Sequence, residues 1–136
     1  MTIDAATREF VRQRAGGRCE YCLLPEEADE LPFHIEHIIA RQHGGGDDTL
    51  NLCWACSRCN FSKGPNIAGI DSPGGEVVPL YNPRSDEWTT HFEIRDVYIN
   101  GLTAIGRVCV KLLQMNDGRR IDLRRDLIKR GVFQAP

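Results

Sequence analysis

Two Cys-x-x-Cys pairs, Cys19–Cys22 and Cys56–Cys59, flank most of the side chains in this sequence that could do chemistry. Between them stand an adjacent carboxylate and imidazole, Glu36-His37, a glycine turn carrying another histidine, His43-Gly44-Gly45-Gly46, and then Asn51. Asn60 follows the last cysteine directly. Two residues between cysteines let both sulfurs reach one tetrahedral ion, so the pairs predict a four-sulfur zinc site on Cys19, Cys22, Cys56 and Cys59. The gap from Cys22 to Cys56 exceeds the roughly 15–20 residues of a plain zinc ribbon. The extra length holds the Glu-His pair and the glycine turn. Zinc at its ends would clamp a strand–turn–helix unit that a small core cannot position alone. Cys53 and Cys109 lie among apolar residues and are expected to be small buried side chains.

The chain has 136 residues and a formal net charge of −2. That length suits one domain with a modest core, often helped by a metal staple. The charge does not announce a nucleic-acid binder, so affinity of that kind must come from local Arg and Lys clusters. No apolar run approaches the length of a membrane span. The first residues, MTIDAATREFVRQRAGG, carry early charges and no apolar signal region, which predicts a reducing, cytoplasmic setting. Zinc is therefore a better use of the cysteines than disulfides.

Around these residues the pattern predicts an α+β chain. Residues 4–14 read as a helix, with Asp4 as N-cap, Phe10 and Val11 as its apolar face and Gly16-Gly17 as its stop. Arg12, Arg14 and Arg18 gather at its end, as a solvated face or as phosphate contacts. Leu31–Ile39 predicts a strand and Thr49–Trp54 a second strand or extended loop, with the glycine run and Asp47-Asp48 as the turn. A helix follows from Cys56 to Ser62, ended by Lys63-Gly64-Pro65. Residues 66–87 read as loop, Trp88–Ile99 as strands and Asn100-Gly101 as a turn. Thr103 caps a helix reaching Met115, Asp117-Gly118 breaks it, and a last basic helix runs to about Arg130, most simply as a solvated face.

Six elements in order, Cys-x-x-Cys, Glu-His-Ile-Ile, His-Gly-Gly, Asn-Leu, Cys-x-x-Cys-Asn and Lys-Gly, resemble the HNH endonuclease family. The resemblance covers about residues 10–65. It implies a ββα-metal core, also called a His-Me finger, within one domain over residues 1–136. The segment from Pro79 to Met115, with its NPRSDEW, HF and GR stretches, resembles the C-terminal extension of bacterial HNH proteins.

The resemblance also implies roles. His37 falls on the general base that takes a proton from water attacking a phosphodiester, most simply in DNA. Glu36 and Asn60 fall on the ligands of a catalytic divalent cation, and their oxygens suit Mg²⁺ or Mn²⁺. Asn60 stands where His is usual, which leaves the identity of that metal open. Asn51 falls on the residue that would orient His37 through its other ring nitrogen. His43 is a further candidate ligand for this metal or for a phosphate. Lys63, Arg58 and Arg41 are candidate nucleic-acid contacts. In a regular strand Glu36 and His37 would face opposite ways, so both can serve one phosphate only if the strand ends or twists there. His34 would share the Glu36 face, as a second metal-side group or, more simply, as a packed edge histidine. His91 reads as structural or as a partner to Trp88. The rival reading is a zinc-bound nucleic-acid-binding or interaction module without hydrolytic activity. Oligomeric state and target are not legible.

Overall fold

The computed structural model describes residues 3–72, 74–133 and 135–136. Helix α1 spans Ala5–Arg14, and the Asp4 side chain caps it by accepting from Thr7 N at 2.7 Å. Only Val11 of this helix is buried. Phe10, expected on the inner face, is instead exposed, with the Arg14 guanidinium 5.2 Å over its ring. The expected basic cluster at the end of α1 is used internally. Arg12 pairs with Glu9 and Glu26, Arg14 donates to the carbonyls of Thr49 and Leu52, and Arg18 donates to Leu23 O.

The central unit is a hairpin and a helix. Strand β1, His34–His37, pairs antiparallel with β2, Leu52–Ala55, with Glu36 opposite Cys53 and His37 opposite Leu52. The sequence predicts a longer first strand, but pairing stops at His37. Beyond it the backbone is tied across the turn: Ile38 N donates to Asn51 O and Ile39 N to the Asn51 side chain, both at 2.9 Å. Every residue of β2 is buried, so this strand is the floor of the core. Helix α2, Ser57–Lys63, follows at once. Its N-cap is Cys56, whose sulfur accepts from Cys59 N at 3.4 Å. One cysteine thus serves both as helix cap and as candidate metal ligand.

The C-terminal part holds more regular structure than the pattern suggests. Residues 66–87 are not all loop: β3, Ala68–Ile70, pairs with β4, Val77–Pro79. Trp88–His91 forms a short helix, α3, rather than the start of a strand. Strands β5, Phe92–Arg95, and β6, Tyr98–Gly101, form a hairpin. Its turn lies at Asp96-Val97, with Asp96 at φ 57°, and not at Asn100-Gly101, which pair inside the hairpin. Asp tolerates the left-handed region well enough for this to compete with an Asn-Gly signal. Helix α4, Ala104–Leu112, is capped by Thr103, whose hydroxyl accepts from Gly106 N at 3.1 Å. It packs so closely on its neighbours that a Cβ on Gly106 would lie 2.0 Å from His91 O. Helix α5 spans Gly118–Lys129.

A continuous hydrophobic cluster runs from Val11 through β2 to Phe92, Ile99 and Met115, joining the hairpin–helix unit to the C-terminal elements. Polar ties reinforce it. Trp88 Nε1 donates to Tyr21 O at 2.8 Å, and Arg84 pairs with Glu20, which also accepts from Trp54 N. Cys53 and Cys109 are buried as expected, and burial pushes their thiols up to about 12 and about 11. Among the described residues no helix is long and apolar enough to cross a membrane.

Candidate metal centre and groove

Cys19, Cys22, Cys56 and Cys59 converge as the spacing predicts. All four are buried, and their sulfurs lie within 4.8 Å of one another. The Cys22 and Cys56 sulfurs are 3.8 Å apart. Zinc with Zn–S bonds of about 2.3 Å separates its tetrahedral ligands by about 3.8 Å, so the cage needs little adjustment. Burial pushes the Cys19 and Cys59 thiols well up, while hydrogen bonds from Cys19, Cys56 and Cys59 bring Cys22 well down. Thiolates, not thiols, ligate zinc, so a bound dication would favour ionisation of the set as a whole. Among the described residues it is the only group of three or more His, Cys, Asp or Glu side chains close enough to share an ion.

Helix α5 closes over this cage. Arg120 is almost fully buried and donates to Cys59 Sγ at 2.9 Å and to Leu113 O at 2.6 Å. Burial opposes its charge, but the sulfurs of Cys59, Cys22 and Cys56 more than offset that and hold the guanidinium above its usual value. Arg124, one turn on, is buried too and donates to the carbonyls of Val97 and Met115. The basic face of α5, expected to be solvated, therefore turns two of its arginines inward.

Beside the cage lies an open groove of about 300 Å³, bordered by Glu36, His37, Ala40, Arg41, Asn60 and Gly64. The strand-alternation problem is solved because β1 ends at His37. His37, opposite Leu52, is the last paired residue of the strand, and it borders the same groove as Glu36. Asn60 reaches it from α2, one residue beyond Cys59, so cage and groove are set by one helix.

Glu36 is buried, and its Oε1 accepts from Lys63 Nζ at 2.8 Å. Lys63 also donates to His37 O at 3.1 Å, and its side chain is 1% exposed. The expectation that Lys63 contacts a phosphate is thereby corrected. Helix α2 turns it inward, where an unpaired buried Glu36 would be costly. Burial still pushes the Glu36 carboxyl up, with the Lys63 hydrogen bond and charge pulling the other way.

Asn51 does not reach His37. Its side chain is spent on the turn, donating to Ile39 O and Gly46 O at 2.9 Å each and accepting from Ile39 N. The imidazole has another neighbour, which no spacing rule singles out: His37 Nε2 lies 2.8 Å from Asp47 Oδ1. Arg41, a candidate nucleic-acid contact, borders the groove and meets the same oxygen through Nη2 at 2.9 Å. His43 lies exposed on a short turn outside the groove. Arg58 borders a different groove, beside the exposed Phe61, and lies 3.7 Å from Asp117. His34, half-buried, pairs with Ala55. His91 is structural, with Nδ1 2.7 Å from the Thr103 hydroxyl and its ring edge-on to Tyr81 rather than paired with Trp88.

The model of the HNH endonuclease family matches residues 19–66, from the first cage cysteine to just past α2. The family resemblance is thus borne out over the stretch that builds both cage and groove. No match was found among the curated proteins or the solved structures.

Proposed function

We propose that the chain is a divalent-metal-dependent endonuclease that hydrolyses phosphodiester bonds of DNA, with residues 1–136 acting as one domain in the reducing cytoplasm. The observation that carries this reading is the meeting of Glu36, His37 and Asn60 in one open groove. A zinc-bound interaction module has no use for that trio. His37 is the general base toward water, in the half-buried setting a neutral imidazole tolerates. Glu36 and Asn60 offer a carboxylate and an amide oxygen, a donor set for a hard cation such as Mg²⁺ or Mn²⁺. Such an ion, when bound, supplies charge stabilisation to the scissile phosphate and the leaving oxygen. Glu36 is suited to receive it because Lys63 does not fully offset the cost of burying its charge. Arg41 borders the groove where a phosphate would enter. The four-sulfur cage, with zinc as the fitting ion, holds α2 and the hairpin in register and takes no part in the chemistry.

A plasmid nicking assay with Mg²⁺ or Mn²⁺ tests this. Wild-type protein is expected to cut, and His37→Ala to lose about 10²- to 10⁴-fold in rate. Equal cleavage by both, or none by wild type on duplex and single-stranded substrates, would return the chain to the interaction-module reading.

A further inference from the structure

We propose that Asp47 is the positioning residue for His37: its carboxylate holds Nε2 and thereby leaves Nδ1 as the basic nitrogen facing the groove. This rests on the reading of His37 as general base, but the geometry that carries it is independent of any cleavage.

The contact is short, 2.8 Å from His37 Nε2 to Asp47 Oδ1, and both side chains are mostly sheltered. A carboxylate only accepts hydrogen bonds, so Nε2 must carry the proton. In the neutral ring the lone pair then sits on Nδ1. Water attacking a phosphate in the groove can be deprotonated there, with its proton passing to Nδ1 and its oxygen bonding to phosphorus as the P–O bond to the leaving sugar oxygen breaks, that oxygen taking a proton from solvent.

The turn is built to deliver this carboxylate. Gly45 packs so tightly that a Cβ would lie 1.7 Å from Ile39 O and 2.8 Å from Asn51 Nδ2. Asn51 closes the loop on itself through three hydrogen bonds to the backbone of Ile39 and Gly46. Asp48, next in sequence, has a different job, accepting from Leu50 N at 2.8 Å to start the following turn. Of the two, Asp47 is the one that reaches the His37 ring. Arg41 donates to the same Oδ1 through Nε at 3.2 Å and Nη2 at 2.9 Å, which restrains the carboxylate. The hydrogen bond from His37, and then that from Arg41, hold the Asp47 carboxyl below its ordinary value, in keeping with an ionised acceptor. The chain thus orients its histidine through a side chain of the turn, while Asn51 acts one step back by shaping that turn.

The experiment is ¹⁵N NMR of the His37 ring in the full-length, zinc-loaded protein, combined with nicking kinetics of Asp47→Ala and Asp47→Asn. Wild type should show a neutral ring protonated on Nε2, and Asp47→Ala should show a mixture of tautomers. Asp47→Asn, which keeps a carbonyl acceptor, should restore most of the wild-type signature. In cleavage Asp47→Ala should lower kcat roughly 10- to 100-fold with little change in KM. A wild-type ring protonated on Nδ1, or a ring state unchanged in Asp47→Ala, would overturn the proposal whether or not the protein cuts DNA. An Asp47→Ala variant with undiminished kcat, where His37→Ala is inactive, would overturn it too. Failure of the nuclease reading is separate: His37→Ala would then match wild type while the ring signature still reports on Asp47.

Discussion

The cage and the groove solve opposite problems. In the cage four buried sulfurs lie close together, with Arg120 donating to one of them. In the groove, bordered by Glu36, His37 and Asn60, one carboxylate is already shared with Lys63 and the imidazole with Asp47. The cage satisfies its groups internally and suits a permanent structural ion. The groove keeps a charged pair, Glu36 and Lys63, out of water. The seven-residue helix α2 contributes to both, Cys59 to the cage and Asn60 to the groove.

The largest effect should come from the cage. Cys59→Ser is expected to abolish tight zinc binding and cooperative folding, because structural zinc contributes about 10–16 kcal/mol of apparent binding energy to small metal-held folds. Metal analysis and far-UV circular dichroism would show it. A variant that folded normally without zinc would break the contrast between cage and groove.

Next comes the ion pair under the groove. Lys63→Met leaves Glu36 buried and uncompensated, and should cost about 3–5 kcal/mol in denaturant unfolding. The double variant Glu36→Gln/Lys63→Met should recover much of that loss. Saturating Mn²⁺ should stabilise Lys63→Met more than wild type, since the cation would replace the missing ammonium beside Glu36. Equal responses to Mn²⁺ would argue against Glu36 as its ligand.

Arg120→Met tests whether α5 belongs to the cage. It strips hydrogen bonds from Cys59 Sγ and Leu113 O and should cost about 1–3 kcal/mol, with faster zinc loss to a chelator. Asn51→Ala should cost less, about 1 kcal/mol, because its backbone partners border solvent. Its larger consequence should be a disturbed His37 ring state, through the slackened turn.

The smallest effect lies outside both regions and serves as a control. The Arg107 hydrogen bond holds the Asp71 carboxyl below its ordinary value. A depressed folded pKa means stability that is present above the unfolded value and lost as pH falls through the folded one. Arg107→Ala should move the Asp71 titration, followed by carboxyl NMR, back toward the ordinary value and leave both zinc content and the His37 ring unchanged.

Much of this was legible in the sequence, for local reasons. The Asp4 and Thr103 caps announce their helices because a short polar side chain before a helical run satisfies orphan backbone N–H groups. The Cys-x-x-Cys spacing is itself a geometric statement about one ion. What failed depended on partners distant in sequence. β3 and β4 are three-residue strands that form only by pairing with each other, and Asn100-Gly101 lost its turn to Asp96 once β6 paired with β5. The arginines of α5 read as solvated because nothing in a helix's own sequence says that sulfur and free carbonyls await two of them.

The sequence by itself determined which side chains could do chemistry and in what order they stand: four cysteines at metal spacing, an adjacent Glu36-His37, Asn60 behind the last cysteine. Tertiary structure decided what each is bound to. It turned Lys63 inward onto Glu36, gave His37 to Asp47 rather than Asn51, and left His43 outside the groove. The physical reason is that spacing fixes reach along a helix or a strand, whereas a buried charge or a ring nitrogen takes the partner that chain closure brings within hydrogen-bonding distance.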